Sequence, residues 1–396
     1  MTLARPAASP ALGMLRQLDR LGVLIAALVI AGVCMPFAAF RANRIVPGTP
    51  VWLATAMPAW AVALLGALLF VATLAGLLRI APRHRLLASL GALAGLALAI
   101  GAAGRMLTPD GDTIARVAPG AGFWLLMLGF ALMASDAVSR LRLRPWWRIG
   151  LLVAVALAVS GLLWSGALSE ISVLREYANR AEAFWREAQV HGVLALGSLA
   201  AAAVVGIPVG ILCDRVPPIR AAILNSLNAV QTIPSIALFG LLIAPLAWVG
   251  AHVPGAAAIG IGGIGMAPAL LALFLYSLLP VVGNTVAGLA GVPESADEAA
   301  RGMGMTDGER LLQIDLPLAF PVILTGIRIV LVQNIGLATV AALIGGGGLG
   351  VFIFQGVGQT AMDLVLLGAV PTVAMAFAAA VVLDAGVEML SRGTRK

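Results

Sequence analysis

Charge is what this chain has least of. Asp, Glu, Lys and Arg make up 11% of its 396 residues, where a soluble domain carries roughly 25%. That deficit excludes a soluble enzyme, a disordered regulator and a secreted disulfide scaffold. Cysteine is nearly missing as well. Cys34 and Cys213 each lie at the end of a long apolar run, and their expected places near opposite membrane faces put them beyond disulfide reach. Both are expected as inert thiols. The three histidines, His84, His191 and His252, have no metal-ligand spacing, so no metal site is expected. Aromatics are 6%, which leaves the bulk to Ala, Leu, Val, Ile and Gly.

What is present is hydrophobic: 61% of the residues are apolar types, and 46 are glycine. Small residues of this kind let membrane helices approach closely. The net charge is +7, which in a soluble protein would raise nucleic acid as a partner. Here the basic residues sit between apolar runs, so topology accounts for them. Lipid is the expected surrounding, and no nucleic acid is expected.

A spanning helix needs about 20 mostly apolar residues. Such runs fall near 21–40, 51–78, 86–106, 119–139, 147–168, 191–213, 225–248, 266–290, 319–344 and 363–390. The fold class expected is therefore all-α: a polytopic membrane helix bundle of about ten transmembrane helices. The glycine-rich stretch 249–265 reads as an outer loop or re-entrant turn. Arg5, Arg16 and Arg20 precede the first run, which is too long for a signal-peptide core and reads as an uncleaved helix. The denser arginine groups are Arg79, Arg83 and Arg85, then Arg140, Arg142, Arg144 and Arg148, then Arg392, Arg395 and Lys396. The opposite segments carry the sparser Arg41, Arg44, Arg105, Arg116, Arg175, Arg180 and Arg186. By the positive-inside rule both termini are expected in the cytoplasm, in a multi-pass protein of the bacterial inner membrane.

Residues 169–190 differ in kind. Glu176–Arg180 and Glu182–Arg186 are favourable i,i+4 pairs, and Leu174, Tyr177, Ala181, Phe184, Trp185 and Ala188 recur at helical spacing. The segment reads as an external amphipathic helix, either packed at the headgroups or touching an external partner. It separates an N-terminal membrane extension, 1–168, from a second half, 191–390, that holds the informative motifs.

The stretch 291–317 is the longest polar segment assigned to the inner face. It holds six acids, Glu294, Asp297, Glu298, Asp307, Glu309 and Asp315, against Arg301 and Arg310. Ser295 to Glu298 reads as a capping box behind Pro293, predicting a helix over 296–302. Gly302 and Gly304 supply a stop. Thr306 to Glu309 reads as a second box, predicting a helix to about 314, with Pro317 opening the next element.

Glu298, Ala299 and Ala300, then Gly304, then Ile314, Leu316 and Pro317 carry a resemblance. At these spacings they match the EAA signature of binding-protein-dependent ABC importer permeases. The resemblance implies a type I, MetI-like importer core over 191–390. In it, the loop residues would couple to a separate cytoplasmic ABC ATPase. The segments 226–246, 273–288 and 337–350 resemble the permeases of osmoprotectant importers for glycine betaine, choline, carnitine or proline betaine. The long extension resembles the YehY-like branch of that group. This implies a transport subunit, not an enzyme, with ATP and Mg used by the partner ATPase and no cofactor bound by this chain. It also implies an external solute-binding protein and a second permease subunit, identical or related.

A path through the bundle needs weakly polar groups, and Gln231, Thr232, Ser235, Tyr276, Asn284, Gln333, Asn334 and Thr339 are available. Each is read as lining the path or as hydrogen-bonding between helices. Pro234 should break its helix beside Gln231 and Thr232, freeing carbonyls. Arg328, Asp363, Asp384 and Asp136 are intramembrane or span-end charges, read as functional or as locally paired. The run Gly345–Gly348 with Gly350 lacks the Lys-Ser/Thr of a nucleotide loop and reads as a tight turn or close helix contact. Three alternatives remain at this point. One is an ABC permease for another solute, such as methionine. The second is an ion-coupled secondary transporter, which should show paired broken helices and buried acids. The third is a non-transporting scaffold or sensor.

Overall fold

A computed structural model describes residues 19–43, 46–109, 111, 112 and 114–393. Arg5, Arg16, Arg44, Arg395 and Lys396, which contribute to the expected orientation, lie outside the described residues. Among those described, nine helices are long and apolar enough to cross a membrane. The chain divides into two compact units.

The first unit runs to Arg144 and takes in Ala154–Glu176. It opens with α1 (Arg20–Cys34), whose N-cap Asp19 accepts the Leu21 amide at 3.0 Å. The sequence predicted a full span over 21–40. The helix has 15 residues, about 22 Å, short of a ~30 Å hydrocarbon core. It stops because Met35 turns extended and the chain enters a small sheet. Strands β1 (Ala38–Arg41) and β2 (Thr49–Val51) pair antiparallel. Helices α2 (Leu53–Ala56), α3 (Ala59–Leu77) and α4 (Pro82–Leu107) come next. Strand β3 (Arg116–Pro119) then pairs antiparallel with β1, giving the order β2–β1–β3. Strands of three or four residues are too short to show a readable alternation, so the sequence did not reveal them. Then come α5 (Ala121–Leu141), α6 (Pro145–Trp164) and α7 (Ser172–Asn179). The core of the unit is built on Ile25, Leu96, Leu126, Phe130 and Met133, all buried. Asp136 pairs locally with Arg140 at 2.8 Å, and Arg140 also reaches Asp19 at 2.9 Å.

The second unit holds Pro145–Val153, the first turns of α6, and everything from Tyr177. Helix α8 (Ala181–Arg215) has 35 residues. The segment 169–190 is thus not one amphipathic helix. The helix α7 ends at Asn179, Arg180 leaves the helical region at φ −136°, and the rest is the opening of a long apolar helix. The run read as 225–248 also divides, into α9 (Pro217–Thr232) and α10 (Ser235–His252). Residues 253–265 form no spanning helix, only a short 3-10 turn at Ala257–Ile259. Next are α11 (Met266–Ala290), α12 (Glu294–Gly302), α13 (Asp307–Arg310) and α14 (Leu316–Leu337). The span read as 319–344 ends at Leu337, and Val340–Ile344 is a 3-10 turn. After it lies the glycine run, with positive φ at Gly345, Gly347 and Gly348. Here the chain makes the tight turn that the sequence suggested. Its Gly348 amide donates to the Glu187 carboxylate at 2.9 Å. A helix the sequence reading missed, α15 (Gly350–Gly358), precedes α16 (Met362–Gly393). Helix α11 packs on α8 and α14, and α14 packs on α16. Both cysteines are free thiols.

Candidate coupling loop and translocation cavity

The loop 291–317 begins with α12. Its N-cap is Pro293, and the helix opens at Glu294 without a side-chain cap. The capping box read at Ser295 is therefore absent: the proline starts the helix before Ser295 can act as cap. Glu298 and Ala299 are exposed, whereas Ala300 is fully buried. Its small side chain serves packing within the loop, and its carbonyl accepts the Met305 amide at 3.2 Å. Gly304 makes the elbow with φ +82°, a region costing an L-residue roughly 1–2 kcal/mol. The second capping box forms as read. The Glu309 amide donates to Thr306 Oγ1 at 3.3 Å, and Glu309 Oε2 accepts the Thr306 amide at 2.8 Å.

Beyond this box the expected break does not occur. A single π turn, Leu311–Asp315, joins α13 to α14, so the chain stays helical from Asp307 to Leu337. Pro317 follows directly on the π turn, so its missing N–H falls inside the continuous helix. Leu316 packs on Leu289, Ala319 and Ile323, and Ile314 is half-buried. Arg310 holds the elbow from inside. It is buried and pairs with Asp297 of α12 at 2.9 Å, with Asp307 at 3.3 Å and with Asp315 at 3.7 Å. Arg215, at the end of α8, reaches Asp315 at 3.5 Å. Sequence reading counted Arg310 only in the loop's charge, and it missed Met303 and Leu312, large apolar side chains 69% and 67% exposed on this polar loop. The signal for the last two was available: apolar residues flanking a glycine elbow with no helical partner face.

A cavity of about 360 Å³ opens at the break between α9 and α10. Gln231, Thr232, Ser235, Tyr276 and Gln333, five of the eight residues read as pathway candidates, line it together with Pro234. The break is caused by Pro234, preceded by Ile233 in extended conformation. A second proline explains the polar lining. Pro280 lies inside α11 and has no N–H for the carbonyl four residues back, which is that of Tyr276. Gln231 Nε2 donates to this carbonyl instead, at 2.8 Å. The Tyr276 hydroxyl in turn donates to the Ile233 carbonyl freed at the break. The two prolines thus create two carbonyls, and two side chains answer them.

The other three candidates lie elsewhere, and the Thr339 hydroxyl donates to the Gly336 carbonyl at 2.7 Å. Asn334 is fully buried, donating to Ser198 at 2.8 Å and to Ser277 at 2.9 Å, which ties α14 to α8 and α11. Asn284 donates to the Pro280 carbonyl of its own helix at 2.8 Å. Both are packing groups in this structure.

Of the charges read inside the second unit, Asp363 is buried in the first turn of α16, and the other two are paired. Arg328 of α14 bonds Asp384 of α16. Arg148 reaches Asp384 at 3.0 Å and Glu388 at 2.8 Å. A second cavity, about 600 Å³, is lined by Arg328, Ile329, Val332, Gln333, Val381 and Asp384. Gln333 belongs to both cavities.

Comparison with known proteins agrees with this arrangement. Residues 206–396 match the family described as binding-protein-dependent transport system inner membrane component. Residues 19–174 match the N-terminal domain of the ABC transporter permease YehY. The osmoprotectant import permease protein OsmW of Salmonella typhimurium is 41% identical, over 46% of this chain and 78% of its own length. The carnitine transport permease protein OpuCB of Listeria monocytogenes is 36% identical, over 47% and 78%. The glycine betaine/carnitine/choline permease OpuCB of Bacillus subtilis is 36% identical over the same shares. An inward-facing MetNI methionine ABC transporter chain overlays at TM-score 0.45 with 20% identity, covering 54% of this chain and 98% of that one, a likeness too low to carry weight. The chain belongs to the binding-protein-dependent ABC transport permeases, with a YehY-type N-terminal domain ahead of the permease core.

Proposed function

We propose that the chain imports a small osmoprotectant of the betaine, choline or carnitine class, driven by ATP hydrolysis in a separate ABC ATPase. The observation that carries the mechanism is the unbroken helical rod from Asp307 to Leu337. One end holds the capped turn beside the Gly304 elbow. The other carries Gln333 into the cavity at the broken helix. A displacement of the loop by a nucleotide-driven ATPase would move the cavity wall directly. Glu298, Ala299 and Met303 present the exposed docking face, and Gly304, Ile314, Leu316 and Pro317 set its shape.

The lining of the cavity suits the cargo. Its hydrogen-bonding groups are neutral, so a small polar solute can enter and leave without being trapped. An external binding protein would deliver the solute, and a second permease chain would supply the facing wall, since one loop per chain docks one ATPase. The arginine distribution favours both termini in the cytoplasm. Asp384 and Glu388 are held by arginines, which argues against either of them carrying a coupling ion.

The test is uptake of labelled glycine betaine into proteoliposomes holding this chain with its ATPase and binding protein. Choline, carnitine and methionine serve as competitors. Competition by choline and carnitine alone is expected. Competition by methionine would move the cargo to the amino-acid class.

A further inference from the structure

Arg328 of α14, Arg148 of α6, and Asp384 and Glu388 of α16 form one charged cluster, and both arginines bond the Asp384 carboxylate. Asp384 bonds Arg328 through Oδ1 and Arg148 through Oδ2, the latter at 3.0 Å, and Arg148 is paired a second time with Glu388. Arg328 lies about 18 Å along α14 from Leu316, at ~1.5 Å per residue, well inside the apolar helix. Charged side chains at such depth face a bundle interior or a water-filled cavity, not lipid. Here the Arg328 and Asp384 side chains are 35% and 44% exposed, and both line the 600 Å³ cavity. That volume lies within the ~300–1,000 Å³ of small-molecule sites. Gln333 also lines the cavity at the broken helix.

We propose that Arg328 and Asp384 form a zwitterion-exchange site on the translocation path, where the guanidinium takes a substrate carboxylate and the aspartate takes its quaternary ammonium. The proposal rests on the osmoprotectant reading and deepens it by naming the residues that distinguish cargo types. The charge balance supports it. When Arg328 releases Asp384, the aspartate keeps Arg148, and Arg148 keeps Glu388, so no acid is left unpaired. Among the described residues Arg328 pairs with Asp384 alone, so on release it needs a carboxylate from the ligand. A zwitterion supplies one and presents its ammonium group to Asp384, so the pair opens with every charge still matched. A bare cation such as choline would leave Arg328 without a partner, a costly state at low dielectric. The apolar walls, Ile329, Val332 and Val381, suit the methyl groups of the ammonium.

The experiment compares Arg328→Gln with wild type in the complete complex, measuring kcat/KM for glycine betaine and for choline. The binding protein is the same in every arm, so its selectivity cancels in the variant-to-wild-type ratio. The expected result is a fall of about tenfold or more for glycine betaine, the loss of one charged hydrogen bond. Choline uptake should be unchanged, raised or newly measurable. Arg328→Lys keeps the cation and should restore most betaine uptake. Equal losses for the two substrates, or no loss for betaine, overturn the site and leave the pair as a helix tie. A wild-type complex that takes up no betaine overturns the substrate reading as well. If Arg328→Gln does not reach the membrane, Asp384→Asn decides. Uptake of betaine should fall while binding-protein-stimulated ATP hydrolysis persists, and unchanged uptake overturns the site.

Discussion

Gln231 and Pro280 show how a single residue's role derives from a missing group elsewhere. The Tyr276 carbonyl is orphaned by Pro280 and satisfied by Gln231. Gln231→Leu should therefore destabilise the unit by about 1–3 kcal/mol, the cost of a buried unpaired polar group. Adding Pro280→Ala should recover part of the loss, because an alanine N–H reaches that carbonyl. A thermal-unfolding cycle of the two changes checks this, and strictly additive losses would refute it. Gly304→Asp places an L-residue at φ +82° and adds a seventh acid to the loop. Uptake should be lost while membrane insertion, followed by fractionation, stays at the wild-type level. The EAA residues and the Thr306 box were legible because they depend on spacing alone. Gln333 and Asn334 could not be told apart in the sequence. Adjacent on one helix, they differ by about 100° of rotation. Which faces a cavity is set by Ser198 and Ser277, far away in the chain.

At the scale of elements, the informative feature is the join at Leu311–Asp315. A π turn inside a helix is a recurrent feature of functional sites, and here it sits between the loop and the rod. The sequence did not reveal it, because LLQID suits an α turn equally well and the pattern predicted a break. Arg310 clamps this join to α12. Arg310→Gln should leave ATP hydrolysis near the wild-type rate but lower uptake per ATP severalfold. Parallel loss of both would place Arg310 in folding instead. In the first unit, the half-buried Asp112 accepts the Ala115 and Ile114 amides at 2.9 and 2.7 Å. These bonds hold its carboxyl below the usual aspartate range. A lowered folded pKa means the turn's stabilisation is present above the ordinary value and lost as pH falls through the folded one. Amide exchange at Ile114 and Ala115, corrected for its intrinsic pH dependence, should show weaker protection below about pH 4.

The whole molecule is two units whose border does not follow the hydrophobic runs. The sequence placed a boundary at 168, after the fifth run, while the first turns of α6 group with the permease unit. Those turns carry Arg148, whose partners Asp384 and Glu388 lie more than two hundred positions later, a pairing no local pattern displays. A chain starting at Pro145 should accordingly be more stable than one starting at Tyr177. Half-exposed pairs are worth about 1 kcal/mol, or roughly 2–4 °C in Tm for a unit of this size. Equal melting in detergent would remove Arg148 from the permease unit. The helical bundle, its span positions and the loop were legible because apolar length and spacing determine them.

The central claim is that ATP hydrolysis, transmitted through the loop 291–317, drives solute through this chain. Its most direct test is glycine betaine accumulation in proteoliposomes of the full complex, with and without internal ATP and with all ion gradients collapsed. The account predicts accumulation against a gradient only with ATP, and none in Gly304→Asp. Accumulation that proceeds without ATP and follows an imposed ion gradient would contradict it.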